Sequence, residues 1–366
     1  AAWLPAGVAS ATCGRLSPQA RERSKNMKIV LDAGGGDYAP HEIVKGAFKA
    51  AQEYGVGIVL VGRQNVIRKL AEKQLTGDNI EIVDATEVID FNEHPIKAVQ
   101  SKPNSSIVVG INLLKSGEAD AFVSAGNTGA VVAAALLTLG RAAGVNRPAI
   151  GCFLDRISMK PSLLVDAGAN ADCRPEHLLE FARLGTIYSK YLLKIPSPRV
   201  GLLCNGAEEG KGNRLVQETY PLLKEAKDIT FIGNIEGHDI VKRTADVVVT
   251  DGFTGNIVLK TIEGFNDSYL TSLKQLGHVF SSASRLQSSE LLHDIGLNTL
   301  TRRLDYSEYG GAYLLGINGN VIIAHGRSKA KAIKNAIGLA RATIERNIAE
   351  KIREGRYEQT SGNSGS

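Results

Sequence analysis

Short apolar runs alternate along this chain with longer stretches in which apolar residues return every three or four positions. Runs at 28–32, 57–62, 80–84, 121–124, 163–165, 200–203, 229–232, 247–249 and 321–324 read as strands, and several are apolar throughout, as strands covered on both faces are. Helical spacing occupies 40–54, 65–75, 107–115, 131–139, 175–191, 238–243, 257–264 and 329–354, with Pro40 and Pro175 in first turns, where a missing N–H costs nothing. Steady strand-helix alternation predicts an α/β fold of three layers, α/β/α, with helices on both faces of a mostly parallel sheet.

Three of the strands end in the same way. Val247-Val248-Val249 runs into Thr250-Asp251-Gly252-Phe253-Thr254-Gly255-Asn256, whose Asp-Gly and Thr-Gly pairs predict a tight turn with a helix starting at Asn256. The strand at 121–124 runs into Gly126-Asn127-Thr128-Gly129, and the strand at 163–165 into Asp166-Ala167-Gly168-Ala169-Asn170. In open parallel sheets ligands bind at strand ends, where unpaired N–H groups and the positive helix dipole point into a crevice. Glycine admits close backbone approach there, and asparagine donates or accepts without adding charge. The repeated design predicts that the three turns share one site containing Gly126, Asn127, Thr128, Gly129, Asn170, Asp251, Gly255 and Asn256.

Other stretches offer anion contacts. Lys102 followed by Ser105 and Ser106 at the head of a helix forms a possible cradle of ammonium, hydroxyl and N–H groups, and an ordinary N-cap is the alternative. The loop 204–213 departs from a Walker loop, because Asn205 stands at its first glycine position and glycine follows Lys211. Lys211, on a loop, is nevertheless a candidate for reaching a substrate phosphate. Gly34, Gly36 and Ala39 fit only a loose dinucleotide fingerprint, and Asp32 and Asp37 flank that loop with negative charge. His325, at a strand end beside Gly326, is a candidate acid or base. From 265 to 305 the chain changes character: apolar residues at spacings of three to five among Ser, Lys and Arg predict an amphipathic helical region projecting from the sheet. A core or dimer-facing helix and a helix lying on a membrane are both open for it.

Composition narrows the classes. With 43% hydrophobic and 22% charged residues the chain is an ordinary soluble α/β type. The net charge of +5 belongs largely to the first 26 residues, which predicts no nucleic-acid partner. Cys13, Cys152, Cys173 and Cys204 show no metal spacing and read as buried or incidental thiols of a reducing compartment. Residues 1–26 lack periodicity and read as a leader, 27–354 as a single domain, and the Ser/Gly-rich end at 355–366 as a flexible tail.

The motifs at 32–40, 124–130, 166–170, 198–213, 246–264, 309–316 and 325–328, taken together, resemble the PlsX family of bacterial acyl-acyl carrier protein:phosphate acyltransferases of phospholipid synthesis. The first motif departs from the family pattern at Gly34 and Tyr38, where methionine and histidine are usual. The resemblance implies a fold like that of isocitrate and isopropylmalate dehydrogenases and of phosphotransacetylase, and a homodimer with no metal or nicotinamide cofactor. It also implies a cytoplasmic protein attached peripherally to the membrane through 265–305. Its substrates would be acyl-acyl carrier protein and inorganic phosphate. Phosphate is its own nucleophile, so the protein's work is to align two anionic partners and stabilise the tetrahedral oxyanion. On this reading Asn127, Asn170 and Asn256 donate to the oxyanion, Lys102 and Lys211 steer phosphate, His325 protonates the leaving thiolate, and Asp251 orients a donor or accepts a phosphate proton. A dehydrogenase on the same fold would need an acidic metal site, and a membrane scaffold would need only 265–305.

Overall fold

The computed structural model describes residues 27–72, 79–154, 161–283 and 310–355. The expected leader at 1–26, the tail from 356 and the part of the expected projecting region at 284–305 lie outside these residues.

The chain forms β1 (Lys28–Asp32), α1 (His41–Tyr54), β2 (Gly57–Gly62), α2 (Gln64–Ala71), β3 (Ile80–Asp84), α3 (Pro95–Ser101), α4 (Ser106–Lys115), β4 (Ala121–Ser124) and α5 (Thr128–Thr138). It continues through β5 (Ala149–Leu154), β6 (Ser162–Val165), α6 (Pro175–Leu192), β7 (Arg199–Leu203), α7 (Arg214–Glu225), β8 (Thr230–Ile235), α8 (Gly237–Lys242), β9 (Val247–Val249) and α9 (Gly252–Ala283). The last described elements are β10 (Ala312–Leu315), β11 (Asn320–Ile323), α10 (Ala330–Glu345) and α11 (Ile348–Glu354). The strands among the described residues join one 11-stranded sheet in the order β3-β2-β1-β4-β11-β10-β5-β6-β9-β7-β8.

Alternation along each strand builds two cores. Ile29 and Leu31 of β1, Ala121 and Val123 of β4, and Val247 and Val249 of β9 face one side, where they meet α1, α6, α10 and α11. Val30, Phe122 and Val248 face the other, under α3, α4, α5 and α8, with Val258, Leu259 and Ile262 of α9 packed against them. Each fully buried Val, Ile or Leu contributes roughly 1.5–3 kcal/mol, which is why these strands are apolar on both faces.

Seven of the ten strand pairings are parallel, in line with the expected mostly parallel sheet, and the other three lie together. β11–β10, β10–β5 and β5–β6 are consecutive antiparallel pairings. Three reversals, an odd number, leave β6, β9, β7 and β8 running opposite to β3, β2, β1, β4 and β11. Neither β5 nor β10 was expected from the strand-helix rhythm. Stacked rings tie this seam together: Tyr188 of α6 lies 5.7 Å from Phe153 of β5 and 5.3 Å from Tyr313 of β10.

Several boundaries also differ. The helices after β4 and β9 begin at Thr128 and Gly252, about a turn earlier than their apolar spacing suggests, because Asn127 and Asp251 cap them. The Gly233-Asn234 pair lies inside β8, at a register irregularity against β7. The expected helix at 329–354 is two helices, broken at Asn347 in the left-handed region (φ 51°).

Candidate active site

β1 and β4 lie side by side and end together, so their turns are built as a pair. Asp32, wholly buried, accepts hydrogen bonds from the N–H groups of Gly34 (2.9 Å) and Gly35 (3.0 Å) and from the Ser124 hydroxyl (2.6 Å). Ser124 Oγ in turn accepts from Gly126 N–H at 3.0 Å. Burial pushes the Asp32 carboxyl pKa up, and hydrogen bonds from Ser106 and Ser124 oppose it. A Cβ on Gly35 would stand 2.4 Å from Asp32 Oδ2 and 2.7 Å from the Gly126 Cα, so contact between the turns demands glycine there.

Asn127 is committed to structure. Its Oδ1 accepts Ala130 N–H (3.0 Å), while its Nδ2 donates to the carbonyls of Asp90 (3.0 Å) and Phe91 (3.2 Å). The amide therefore caps α5 and hangs the 90–93 connection over its N-terminus. The Phe91 ring then packs on Gly326, where a Cβ would come within 3.1 Å of it.

An open pocket of ≈ 310 Å³ lies at this end of the sheet, with Asp37, Phe91, Gly126, Thr128, Lys260, His325 and Arg327 among its walls. Lys260 of α9 reaches 2.9 Å from His325 Nε2 and 2.9 Å from Glu263. His325 Nδ1 accepts Arg327 N–H at 3.1 Å, which turns Nε2 toward Lys260 and Glu263. The Arg327 guanidinium pairs with Asp267 at 3.1 Å. Burial works to raise the Glu263 carboxyl pKa, but hydrogen bonds from His325 and Lys260 outweigh it and hold the pKa at about 2. With Lys260, Arg327 and the positive end of α5 on its walls, the pocket suits an oxyanion. Lys260, Glu263 and Arg327 were missed from the sequence. The available signals were the i,i+3 spacing of Lys260 and Glu263 and the place of Arg327 beside His325.

The second parallel half ends at the opposite edge. Asp166, also buried, accepts from the N–H groups of Ile150 (2.8 Å), Ala169 (3.0 Å) and Asn170 (2.8 Å) and from Asn170 Nδ2 (2.9 Å). Burial is the largest influence on its pKa, which is raised. Asn170 Nδ2 also donates to Pro148 O at 2.8 Å, and Asn256 Nδ2 to Ala167 O at 3.3 Å. Asp251 caps α9 by accepting from the N–H and hydroxyl of Thr254, each at 2.8 Å. A Cβ on Gly255 would lie 1.9 Å from the Asp166 carbonyl.

The two ends share a pattern. Asp32-Ala33-Gly34 matches Asp166-Ala167-Gly168, and Ser124-Ala125-Gly126-Asn127-Thr128-Gly129 matches Thr250-Asp251-Gly252-Phe253-Thr254-Gly255 in its hydroxyl, two glycines and threonine. The recurrence could have exposed the two buried aspartates as matching anchors. One copy opens on the cationic pocket, and in the other the amides of Asn170 and Asn256 bond back onto the turn itself.

The expected convergence of three asparagines is thus corrected. Asn127 sits at one edge of the sheet, Asn170 and Asn256 at the other, and the amides of Asn127 and Asn170 are spent on the fold. Gly126, Thr128 and His325 do come together. Lys102 is drawn to Glu93 (2.6 Å) and the Val88 carbonyl (2.8 Å), Ser105 caps α4, and Ser106 bonds Asp32, so this trio holds loops in place. Lys211 stands in the loop after β7, at the edge away from the pocket. Burial pushes the Cys173 thiol up to about 12, which makes it inert. Among the described residues Glu236, His238 and Asp239 bring metal-ligating atoms within 4.8 Å of one another, but Glu236 and Asp239 are engaged in capping α8.

The chain matches the model of a family described as fatty acid synthesis protein over residues 27–351. It is 55% identical over 328 residues to the phosphate acyltransferase of Dehalococcoides mccartyi, covering 90% of this chain and 94% of the relative. Its fold is similar to the EutD phosphotransacetylase from Staphylococcus aureus, with a TM-score of 0.55 at 19% identity over 93% of this chain and 98% of the other. A 4-hydroxythreonine-4-phosphate dehydrogenase from Klebsiella pneumoniae aligns with a TM-score of 0.50 at 13% identity, over 89% and 100% of the two chains. A paired set of turns at the ends of β1 and β4, a cationic pocket beside them and a match that spans nearly the whole fold lead to one assignment: this chain belongs to the fatty acid synthesis protein family.

Proposed function

We propose that the protein is a phosphate acyltransferase that moves a fatty acyl group from acyl-acyl carrier protein to inorganic phosphate, yielding acyl phosphate for phospholipid synthesis. The observation that carries this reading is the meeting of Lys260, His325 and Arg327 with the N-terminus of α5 in one open pocket. Phosphate sits against Lys260 and Arg327, and one of its oxygens attacks the thioester carbonyl. The tetrahedral oxyanion lies toward the first-turn N–H groups of α5, which carry no intrahelical partner. As the tetrahedral centre collapses the C–S bond breaks, and the thiolate takes its proton from the Lys260–His325 pair, whose nitrogens stand 2.9 Å apart. Asn127 and Glu263 position these groups. Asp251, Asn170 and Asn256 hold the far end of α9.

The protein works as a homodimer in the cytoplasm and touches the membrane through 265–305. Supporting that contact, α9 runs about 48 Å at 1.5 Å per residue, and Phe265 and Tyr269 on it are exposed with their rings stacked at 6.3 Å. No helix among the described residues is long and apolar enough to cross a membrane.

The deciding experiment is mass detection of acyl phosphate after mixing the protein with palmitoyl-acyl carrier protein and phosphate. Product is expected from wild type, with kcat/KM for phosphate lowered about 10²- to 10³-fold in Lys260→Ala. Absence of product with an active carrier protein would sink the reading.

A further inference from the structure

The α1–α10 pair carries a second concavity that the chemistry above leaves unused. The two helices cross closely because Gly46 has no side chain: a Cβ there would meet Ile333 at 2.6 Å. Between them lies a pocket of ≈ 440 Å³ lined by Lys49, Gln52, Glu53, Lys331 and Lys334. Positive charge dominates its walls and surroundings. Glu53 is paired with Lys334 at 2.8 Å, and Glu42 holds Lys45 at 3.0 Å and the Ala330 N–H at 2.9 Å. Lys329, over the Tyr38 ring, joins this face to the cationic pocket, two residues from Arg327. The basic groove therefore lies on the helix that starts three residues after Arg327 of the candidate active site.

We infer that the α1–α10 groove docks an acidic protein partner, the carrier that brings the acyl group. The inference rests on the acyl-carrier reading of the site. A thioester on a flexible arm needs its carrier held near the pocket while the arm does the reaching. The groove favours a protein over a lipid surface because neither α1 nor α10 exposes a large apolar side chain, whereas helices that lie on membranes bury an apolar face. Contacts made by charge without an apolar anchor associate fast, release fast and weaken with salt, as suits a carrier that must leave after each turnover.

The test compares wild type with a Lys49→Glu/Lys331→Glu double variant in the intact protein. Binding of palmitoyl-acyl carrier protein is read by fluorescence anisotropy at low and high salt, and turnover is measured with that donor and with palmitoyl-coenzyme A. The expected result is a salt-sensitive Kd that rises roughly tenfold in the variant, a matching rise in KM for the carrier-bound donor, and no change with the small donor. Carrier binding of equal strength in both proteins, or none in wild type, overturns the groove as a docking site. Unchanged carrier binding with lost binding to phosphatidylglycerol vesicles overturns it in favour of a membrane face. If wild type makes no acyl phosphate the reaction assignment falls separately, while the anisotropy still decides the groove.

Discussion

Glycine carries two different meanings in these turns, and space tells them apart. A methyl group at Gly255 would collide with the Asp166 carbonyl at 1.9 Å, backbone against backbone, so neither side can yield. Gly255→Ala is expected to cost roughly 3 kcal/mol or more, read as a lowered denaturant midpoint. Gly264, exposed in the middle of α9 with nothing within 4 Å of its would-be Cβ, is the opposite case. Gly264→Ala should stabilise by about 0.5–1 kcal/mol through helix propensity, and a loss of stability there would contradict an exposed α9. Glu263 adds a pH signature. Its folded pKa of about 2 lies below the ordinary 4.5, so its contribution is present above the ordinary value and is lost as pH falls from about 4.5 toward 2. That contribution is on the order of 3 kcal/mol, and Glu263→Gln should flatten the acid limb of a stability-versus-pH titration in that window. The residue chemistry was the least legible part of the sequence. Asparagine beside glycine reads as a ligand-facing donor, yet Asn127 and Asn170 spend their amides on carbonyls far away in the chain, at Asp90, Phe91 and Pro148.

At the scale of elements, strands and most helices follow from apolar spacing alone, as β1, β2, β3 and β4 do to the residue. The starts of α5 and α9 do not, because Asn127 and Asp251, four and six residues before the apolar runs at 131 and 257, cap the helices and extend them backwards through a Thr-Gly pair. Asn127 joins two elements, capping α5 while holding the carbonyls that place Phe91. Loss of such a cap costs about 1 kcal/mol. In Asn127→Ala the released loop should lower kcat more than it raises KM for phosphate, which steady-state kinetics would separate. A pure KM effect would mean that Asn127 binds substrate instead of holding the wall.

For the whole molecule, the fold class was legible and the direction of half the sheet was not. Continuous apolar strands and alternating helices identify an α/β protein, but β5 and β10 lie outside that rhythm and decide which strand ends face the same way. The shared site expected from three similar turns failed at that seam.

The seam has a temporal side. β11 is the last strand described, yet it sits between β4 and β10, with Asn320 donating to Asp120 across 200 residues of sequence. A sheet whose middle is filled from the far end of the chain closes slowly, because contacts of such separation form late. His325 and Arg327 lie in the turn that follows that strand, so the pocket and the finished sheet come into being in the same event. A chain shortened before β11 would keep every turn of the first half, and Lys260 as well, yet lack the strand that joins β4 to β10 and with it His325 and Arg327, so that catalytic competence doubles as proof of complete folding.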